Sequence, residues 1–288
     1  MIISGKTHVF AVIGDPIEHT LSPTMHNAAF EHLNLNMIFL AFRVTPDQLD
    51  HAIKGVRALG IRGLNVTMPH KNSVTMFVDD ADASVRFLHA ANTILNQDGR
   101  LRGFNTDGIG AVRALKNNGM ELSGKRVILL GAGGAAKAIA FALAKEAEEL
   151  CILNRDVAKA RDLAGLLEPW GKNIEADELT PSQIREKLQN SDLLINATSV
   201  GMAPNTHESL VNPRWLRPSL CVMDIVYNPV ETKLIRDAKA MDAKTINGVE
   251  MLLYQGAASF EIWMGCKAPV DAMRAALLEK LTGAGGAV

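Results

Sequence analysis

Residues 126–140 read Arg-Val-Ile-Leu-Leu-Gly131-Ala-Gly133-Gly134-Ala-Ala136-Lys-Ala-Ile-Ala, a strand-like apolar run, a glycine turn and an apolar helical run in immediate succession. Gly131 permits a tight turn, Gly133 lets backbone approach a pyrophosphate, and small Ala136 lets the helix pack on its strand with its N-terminal amides facing phosphate. A strand-to-helix turn with no ligand is the plainer alternative; the flanking strand and helix favour dinucleotide binding. The same alternation continues. Strands are predicted at Arg126–Leu130, Leu150–Leu153, Asp192–Ala197 and Cys221–Val226, each leading into a helical stretch. Strands that are apolar along their length and alternate with helices predict an α/β class and a doubly wound, Rossmann-type parallel sheet covered on both faces.

The second strand of such a unit identifies the dinucleotide. An acidic residue about 20 positions beyond the glycines accepts the ribose hydroxyls of NAD. Here the strand ends Leu153-Asn154-Arg155-Asp156, with Asn154 in that place and with Arg155 and Lys159 able to clamp a 2′-phosphate. The charges therefore point to NADP. Asp156 keeps NAD open if its carboxylate faces the ribose; otherwise it caps the helix running to Leu167.

The preceding residues follow a different pattern. His8–Ile13 is a short buried strand stopped by Gly14-Asp15-Pro16, and Ser22-Pro23 opens a helix with Ser at the N-cap. Asn36–Val44 is a second strand, Pro46–Leu59 a helix closed by Gly60, and Leu64–Thr67 a third strand ended by Pro69. Asn92–Leu95 and Leu101–Phe104 form a hairpin about Asn96-Gln97-Asp98-Gly99. Two domains are expected, residues 1–106 and 107–247, followed by helices at Val249–Met264 and Pro269–Leu281 and a frayed tail at 282–287. A chain of 288 residues suffices for two cores with a ligand cleft between them.

Thirty basic and 31 acidic residues give a net charge of −1, which offers no generic claim on nucleic acid or anionic membrane. The start, MIISGKTHVF, lacks the apolar core of a signal peptide, so a cytoplasmic protein is expected. Cys151, Cys221 and Cys266 are odd in number and far apart, which supports neither a disulfide framework nor a zinc ribbon; none of the eight histidines forms an H-E-x-x-H pair, and no metal is expected.

Polar residues gather at the predicted strand ends of the first domain: His19, Thr20 and Ser22, then Thr67-Met-Pro-His-Lys71, Asn92-Thr93 and Asn105-Thr106-Asp107. Singly each has an ordinary role, as a helix cap, a solvated lysine or a strand-end amide. Together they suit a polyhydroxylated carboxylate, because ligands bind at strand ends in open α/β sheets.

The strings Gly14-Asp-Pro-Ile-Glu-His-Thr-Leu-Ser-Pro-Thr-Met-His-Asn27, Asn65-Val-Thr-Met-Pro-His-Lys71, Ala90-Ala-Asn-Thr93 and Gly103-Phe-Asn-Thr-Asp-Gly108 resemble the shikimate dehydrogenase family. So do Gly131-Ala-Gly-Gly-Ala135, Asn196-Ala-Thr-Ser-Val-Gly-Met202, Tyr227-Asn-Pro229 and Gly248-Val-Glu-Met-Leu-Leu-Tyr-Gln-Gly-Ala257, in order along nearly the whole chain. The resemblance implies reversible NADP-dependent reduction of 3-dehydroshikimate to shikimate, in aromatic amino-acid biosynthesis. By that resemblance Lys71 and Asp107 are the catalytic pair. Lys71 would donate a proton to, or stabilise, the alkoxide built by hydride transfer, with Asp107 holding it and the neighbouring substrate hydroxyl. Thr20 and Ser22 correspond to the carboxylate-binding hydroxyls, and Thr67, Asn92, Tyr227 and Gln255 to groups around the ring. Gly131, Ala132, Gly133, Gly134, Ala135, Asn154, Arg155, Asp156 and Lys159 correspond to the cofactor loops, with Ile225 and Gly248 near the nicotinamide. The resemblance further implies that residues 248–288 return to complete the substrate domain, and that a small molecule is the partner of a monomer or homodimer.

Three positions depart from the family pattern: Thr20 stands for the first Ser of S-x-S-P, His89 for a Gly, and Asn154-Arg155-Asp156 for N-R-T. Thr20 and Asp156 keep open a dual quinate/shikimate dehydrogenase using NAD as well. An inactive dinucleotide-binding sensor is the reading from another class, and it would have no need of Lys71 and Asp107.

Overall fold

The structure is a computed structural model that describes residues 3–283. It divides into two compact units, one running to Thr106 and resuming at Leu253, the other Asp107–Leu252.

The first unit contains β1 (His8–Gly14), α1 (Ser22–His32), β2 (Met37–Arg43), α2 (Leu49–Ala58), β3 (Gly63–Val66), β4 (Asp80–Ala81), α3 (Ala83–Leu88), β5 (Thr93–Gln97) and β6 (Arg100–Phe104). The sheet order is β2-β1-β3-β5-β6-β4. β2, β1 and β3 are parallel and the β3-β5-β6 stretch antiparallel. The β5-β6 hairpin turns on Asp98 and Gly99, both at positive φ (53° and 90°), the pairing that lets a two-residue turn follow the twist of its strands. α2 begins three residues later than the sequence pattern suggests, because Pro46–Gln48 forms a 3₁₀ turn first. Its buried Leu49, Ile53 and Val56 recur at helical spacing and join Ala11, Ile13, Leu64, Val66 and Ile94 in the core.

The second unit holds α4 (Asp107–Asn117), β7 (Arg126–Leu130), α5 (Gly134–Leu143), β8 (Glu149–Asn154), α6 (Val157–Leu167), β9 (Ile174–Glu178), α7 (Pro181–Leu188), β10 (Leu193–Asn196), β11 (Cys221–Asp224), α8 (Lys233–Ala240) and β12 (Lys244–Ile246). Its six strands run β12-β11-β10-β7-β8-β9, all parallel. Numbered within the unit this is 3-2-1-4-5-6 read from the other edge, the doubly wound order whose direction reverses between β7 and β10. The chain ends in α9 (Gly248–Met264) and α10 (Val270–Thr282), and α10 packs on α1.

Several local expectations are corrected. Ser22 is the first residue of α1 and not its cap: Leu21 takes that place, and the Thr20 hydroxyl donates to Ser22 Oγ at 3.3 Å. No α-helix follows β10; a long loop with one 3₁₀ turn at Pro213–Trp215 leads to β11. Edge strands β9 and β12 lie outside the predicted set. Ile174–Glu178, Ile-Glu-Ala-Asp-Glu, has no apolar run because an edge strand exposes part of its side chains. Of the expected frayed tail, Thr282 ends α10 and Gly283 closes it at φ +69°, while 284–287 lie outside the described residues.

Candidate active site

Parallel strands deliver their C-terminal ends to one edge, and in the first unit that edge gathers the polar residues picked out from the sequence. The loop after β1 carries half-buried Thr20 and buried Ser22; the loop after β3 carries half-buried Thr67 and Lys71. Backbone bonds lock the two loops together, Asp15 N–H to Met68 O (3.0 Å) and Thr67 N–H to Ile13 O (3.0 Å), and Lys71 O accepts from Ala91 N–H at 2.8 Å. Asn92 precedes β5, which is antiparallel to β3, and so reaches the same edge; α9 brings half-buried Gln255 there, with Asn92 Nδ2 3.4 Å from Gln255 Oε1. Asp107 belongs to the second unit: buried at the first residue of α4, it sets its carboxylate at a helix N-terminus, where the helix dipole favours negative charge.

In the second unit the sequence-predicted cofactor residues, and with them Tyr227 of the predicted substrate set, leave the carboxyl edge of one sheet: the glycine loop from β7, Asn154–Lys159 from β8, Ile225 and Tyr227 from β11, and Gly248 just beyond β12. Gly131 has φ +110°, and a Cβ there would stand 2.9 Å from Ala197 O, so both conformation and space demand glycine. Ala132 is buried beside it, whereas Gly133, Gly134 and half-buried Ala135 open α5. A Cβ at Gly133 or Gly134 meets nothing within 4 Å. Packing within the protein does not require glycine at either position, which fits a loop cleared for a phosphate group at a helix N-terminus.

Arg155, Asp156 and Lys159 are exposed at the end of β8. Asp156 does precede α6, but its side chain makes no cap; it pairs with Lys159 Nζ at 3.4 Å, and Asn154 Nδ2 donates to Asp156 O at 2.9 Å. His89 is exposed at φ +50° closing α3, a left-handed site that accounts for glycine being usual in that place.

The sequence profile described as shikimate dehydrogenase substrate binding domain matches residues 12–94, that of shikimate / quinate 5-dehydrogenase 113–248, and that of the shikimate 5'-dehydrogenase C-terminal domain 248–278. Shikimate dehydrogenase (NADP(+)) of Methanocaldococcus jannaschii is 44% identical over 283 residues, covering 98% of this chain and 100% of its own. The chain belongs to the shikimate dehydrogenase family. Among solved structures of the family, shikimate 5-dehydrogenase from Listeria monocytogenes in complex with shikimate and NAD is 38% identical with TM-score 0.91, over 96% of this chain and 98% of that one. The Thermus thermophilus enzyme in complex with NADP(H) and shikimate is 34% identical with TM-score 0.85, over 95% and 99%.

Two polar groups beneath these edges escaped the sequence reading. Asp224, fully buried at the end of β11, accepts from Asn196 Nδ2 (3.0 Å), Val226 N–H (3.1 Å) and Thr232 Oγ1 (2.7 Å). Burial raises its carboxyl pKa to about 6 against these three bonds, which pull it down. It pins the backbone carrying Ile225 and Tyr227, whose phenol burial also pushes up, and Gly248 packs against Ile225 O and Val226 O too closely for any Cβ. An acid closing an otherwise apolar strand, register-paired with Asn196, is the signal that was available. In the first unit His26 is fully buried, its ring stacked on Phe39 with centroids 4.5 Å apart. Desolvation drives its pKa down to about 3, opposed by the nearby Asn65 amide; among the described residues neither ring nitrogen nor Asn65 Oδ1 has a partner at hydrogen-bond distance.

Proposed function

We propose that this protein is an NADP-dependent shikimate dehydrogenase, an oxidoreductase acting on a CH–OH group that interconverts 3-dehydroshikimate and shikimate in cytoplasmic aromatic amino-acid biosynthesis. The observation that carries the reading is the convergence on one sheet edge of two hydroxyls (Thr20, Ser22), a lysine (Lys71) and two amides (Asn92, Gln255). That set matches a carboxylate with several ring hydroxyls. Thr20 and Ser22 take the carboxylate, and Thr67, Asn92, Asp107, Tyr227 and Gln255 take the ring. The dinucleotide, when bound, supplies or accepts hydride at its nicotinamide. Gly131–Ala135 cradle its pyrophosphate, Asn154, Arg155 and Lys159 meet the adenosine ribose and 2′-phosphate, and Ile225 and Gly248 border the nicotinamide.

Lys71 acts on the substrate oxygen. In the reducing direction its ammonium gives a proton to the oxygen that becomes a hydroxyl; in the oxidising direction the amine takes that proton back. Asp107 holds Lys71 and the reacting hydroxyl. One chain supplies every residue of this reading, so a monomer and a homodimer serve equally. Among the described residues no helix is long and apolar enough to cross a membrane.

Initial rates of shikimate and quinate oxidation, each with NADP⁺ and with NAD⁺, test the proposal. Shikimate with NADP⁺ is expected to exceed the other three in kcat/KM by ~100-fold, or about 2.7 kcal/mol of transition-state discrimination. A second reading, a dual quinate/shikimate dehydrogenase that also uses NAD, is favoured by Thr20 and by the exposed Asp156 carboxylate next to Lys159. Comparable rates with quinate or NAD⁺ would establish it, and turnover of neither acid would return the sensor reading.

A further inference from the structure

Beneath Asn92 and Gln255 lies a buried polar layer. Asn65, Asn92, Thr93, Thr106 and Ser259 are each less than 7% exposed, and none is charged. Ser259, on α9 one turn beyond Gln255, is the hub. Its Oγ lies 3.0 Å from Gln255 O, 2.7 Å from Thr93 Oγ1, 3.2 Å from Thr106 Oγ1 and 3.2 Å from Asn65 Nδ2. A serine hydroxyl has one proton and two lone pairs. Gln255 O can only accept, so the proton goes to it, and the two lone pairs of Ser259 Oγ are left for the other three groups to share as donors.

The same counting orients Asn92. Thr106 N–H can only donate, and it stands 2.8 Å from Asn92 Oδ1. The carbonyl end of the Asn92 amide is therefore fixed toward Thr106, with the amino end 3.0 Å from Thr106 Oγ1 and 3.4 Å from Gln255 Oε1. Gln255 in turn meets that amino group with its oxygen, which settles which end of its own amide is the donor. Apolar side chains would fill this space without needing any of these bonds, and a five-residue polar layer is costly to bury unless its members are satisfied, as those of this layer are apart from Asn65 Oδ1.

We propose that Ser259, with Thr106, is a positioning residue for the substrate: Ser259 Oγ takes the proton of the Thr106 hydroxyl, which leaves Thr106 Oγ1 to accept from Asn92 Nδ2 and so, beside the Thr106 N–H on Asn92 Oδ1, to hold the Asn92 amide and through it Gln255 in the donor pattern that the substrate ring meets. The inference rests on the proposed shikimate dehydrogenase activity, and neither residue touches substrate in it.

The experiment compares Ser259→Ala, Thr106→Val and Thr106→Ser with the unmodified chain, using shikimate and NADP⁺. Valine keeps the shape of threonine without its hydroxyl; serine keeps the hydroxyl without the methyl. Ser259→Ala and Thr106→Val are expected to lower kcat/KM for shikimate about 10- to 100-fold, the scale of a slightly misplaced substrate. KM for NADP⁺ stays within about twofold, and Thr106→Ser within about threefold of the unmodified chain in every constant. A merely structural layer predicts otherwise. If Ser259→Ala and Thr106→Val lose thermal stability while keeping kcat/KM for shikimate, or if Thr106→Ser loses as much activity as Thr106→Val, the proposal is overturned. Should Ser259→Ala not fold, the Thr106 pair decides alone. No shikimate turnover by the unmodified chain overturns the functional reading and this inference with it; turnover without the variant effects overturns the inference only.

Discussion

The two carboxyl edges are built on opposite electrical principles. In the first unit the residues assigned to substrate sit on a buried layer of neutral amides and hydroxyls, and the titratable group packed below, His26, is held uncharged by burial. In the second unit the residues assigned to cofactor are exposed charges, Arg155, Asp156 and Lys159, and the buried anchor is a carboxyl, Asp224. Neutral hydrogen bonds fix direction at low desolvation cost, which suits a small ligand whose hydroxyls must be told apart. Exposed charges recognise a phosphate at longer range but with weak, salt-sensitive discrimination. The difference places sharp selectivity on the first edge and adjustable selectivity on the second.

Acid should separate the two units most visibly. His26 takes up a proton at about 6.5 when unfolded but only near 3 when folded, so the unfolded chain binds more protons between those values. The stability His26 contributes is complete above pH 6.5 and falls as pH drops toward 3, by up to about 5 kcal/mol. Denaturant unfolding from pH 7 to 4.5 should show this at Trp263, whose ring lies 5.2 Å from His26, in a chain with Trp170 and Trp215 replaced by Phe. His26→Phe keeps the stack on Phe39 and should flatten the dependence. An unchanged slope in that variant would mean the acid sensitivity comes from elsewhere.

Lys71→Ala tests the chemistry proposed for the first edge. Loss of a general acid costs typically 10²- to 10⁴-fold, and the expected loss falls on kcat with KM for shikimate little altered. A pure KM effect would reduce Lys71 to a binding charge and leave the first edge a recognition surface alone.

Asp224 should show the opposite sign from His26. Its folded pKa is raised to about 6 from an ordinary 3.8, so the folded protein binds more protons in that window and gains stability as pH falls through it. Above pH 6 the ionised group costs up to about 3 kcal/mol. In Asp224→Asn one oxygen still serves Asn196 and Val226, while Thr232 Oγ1 changes from donor to acceptor. The variant's stability relative to the unmodified chain should rise between pH 4.5 and 8, measured by denaturant unfolding. A falling or flat difference would show that the three bonds outweigh burial.

Much of this arrangement was legible in sequence, for a physical reason that also marks where legibility stops. The doubly wound sheet announced itself because β7, β8, β10 and β11 are buried on both faces and therefore apolar along their length. β9 and β12 carry no such run, and the helix expected after β10 does not form. Thr20, Ser22, Lys71 and the glycine loop stood out as chemically distinctive residues at strand ends. Ser259 gave no signal and Thr93 stood out only as one of several strand-end polar residues, because a small hydroxyl in a helix or strand looks the same whether it faces water or closes a bond across 166 positions of the chain. Thr106 looked like a helix cap, and only the fold shows that its backbone N–H orients Asn92.

The smallest effect tests whether the second edge is as adjustable as its exposure suggests. Asp156 and Lys159 have side chains 52% and 68% exposed, so their 3.4 Å pair is worth little to stability, yet in the proposed reading its charge balance is what a 2′-phosphate would meet. Asp156→Thr removes one negative charge and releases Lys159. The ratio of kcat/KM with NADP⁺ to that with NAD⁺ should rise about 10-fold at low salt. Because the groups are exposed and the Debye length shrinks from about 30 Å at 0.01 M to 8 Å at 0.15 M, the gain should narrow at physiological ionic strength. Selectivity for shikimate over quinate, expected of the first edge with its neutral supporting layer, should stay fixed over the same salt range. If both selectivities shift with salt, the two edges are not electrically distinct; if Asp156→Thr leaves the cofactor ratio unchanged, Arg155 and Lys159 hold the phosphate without opposition from Asp156.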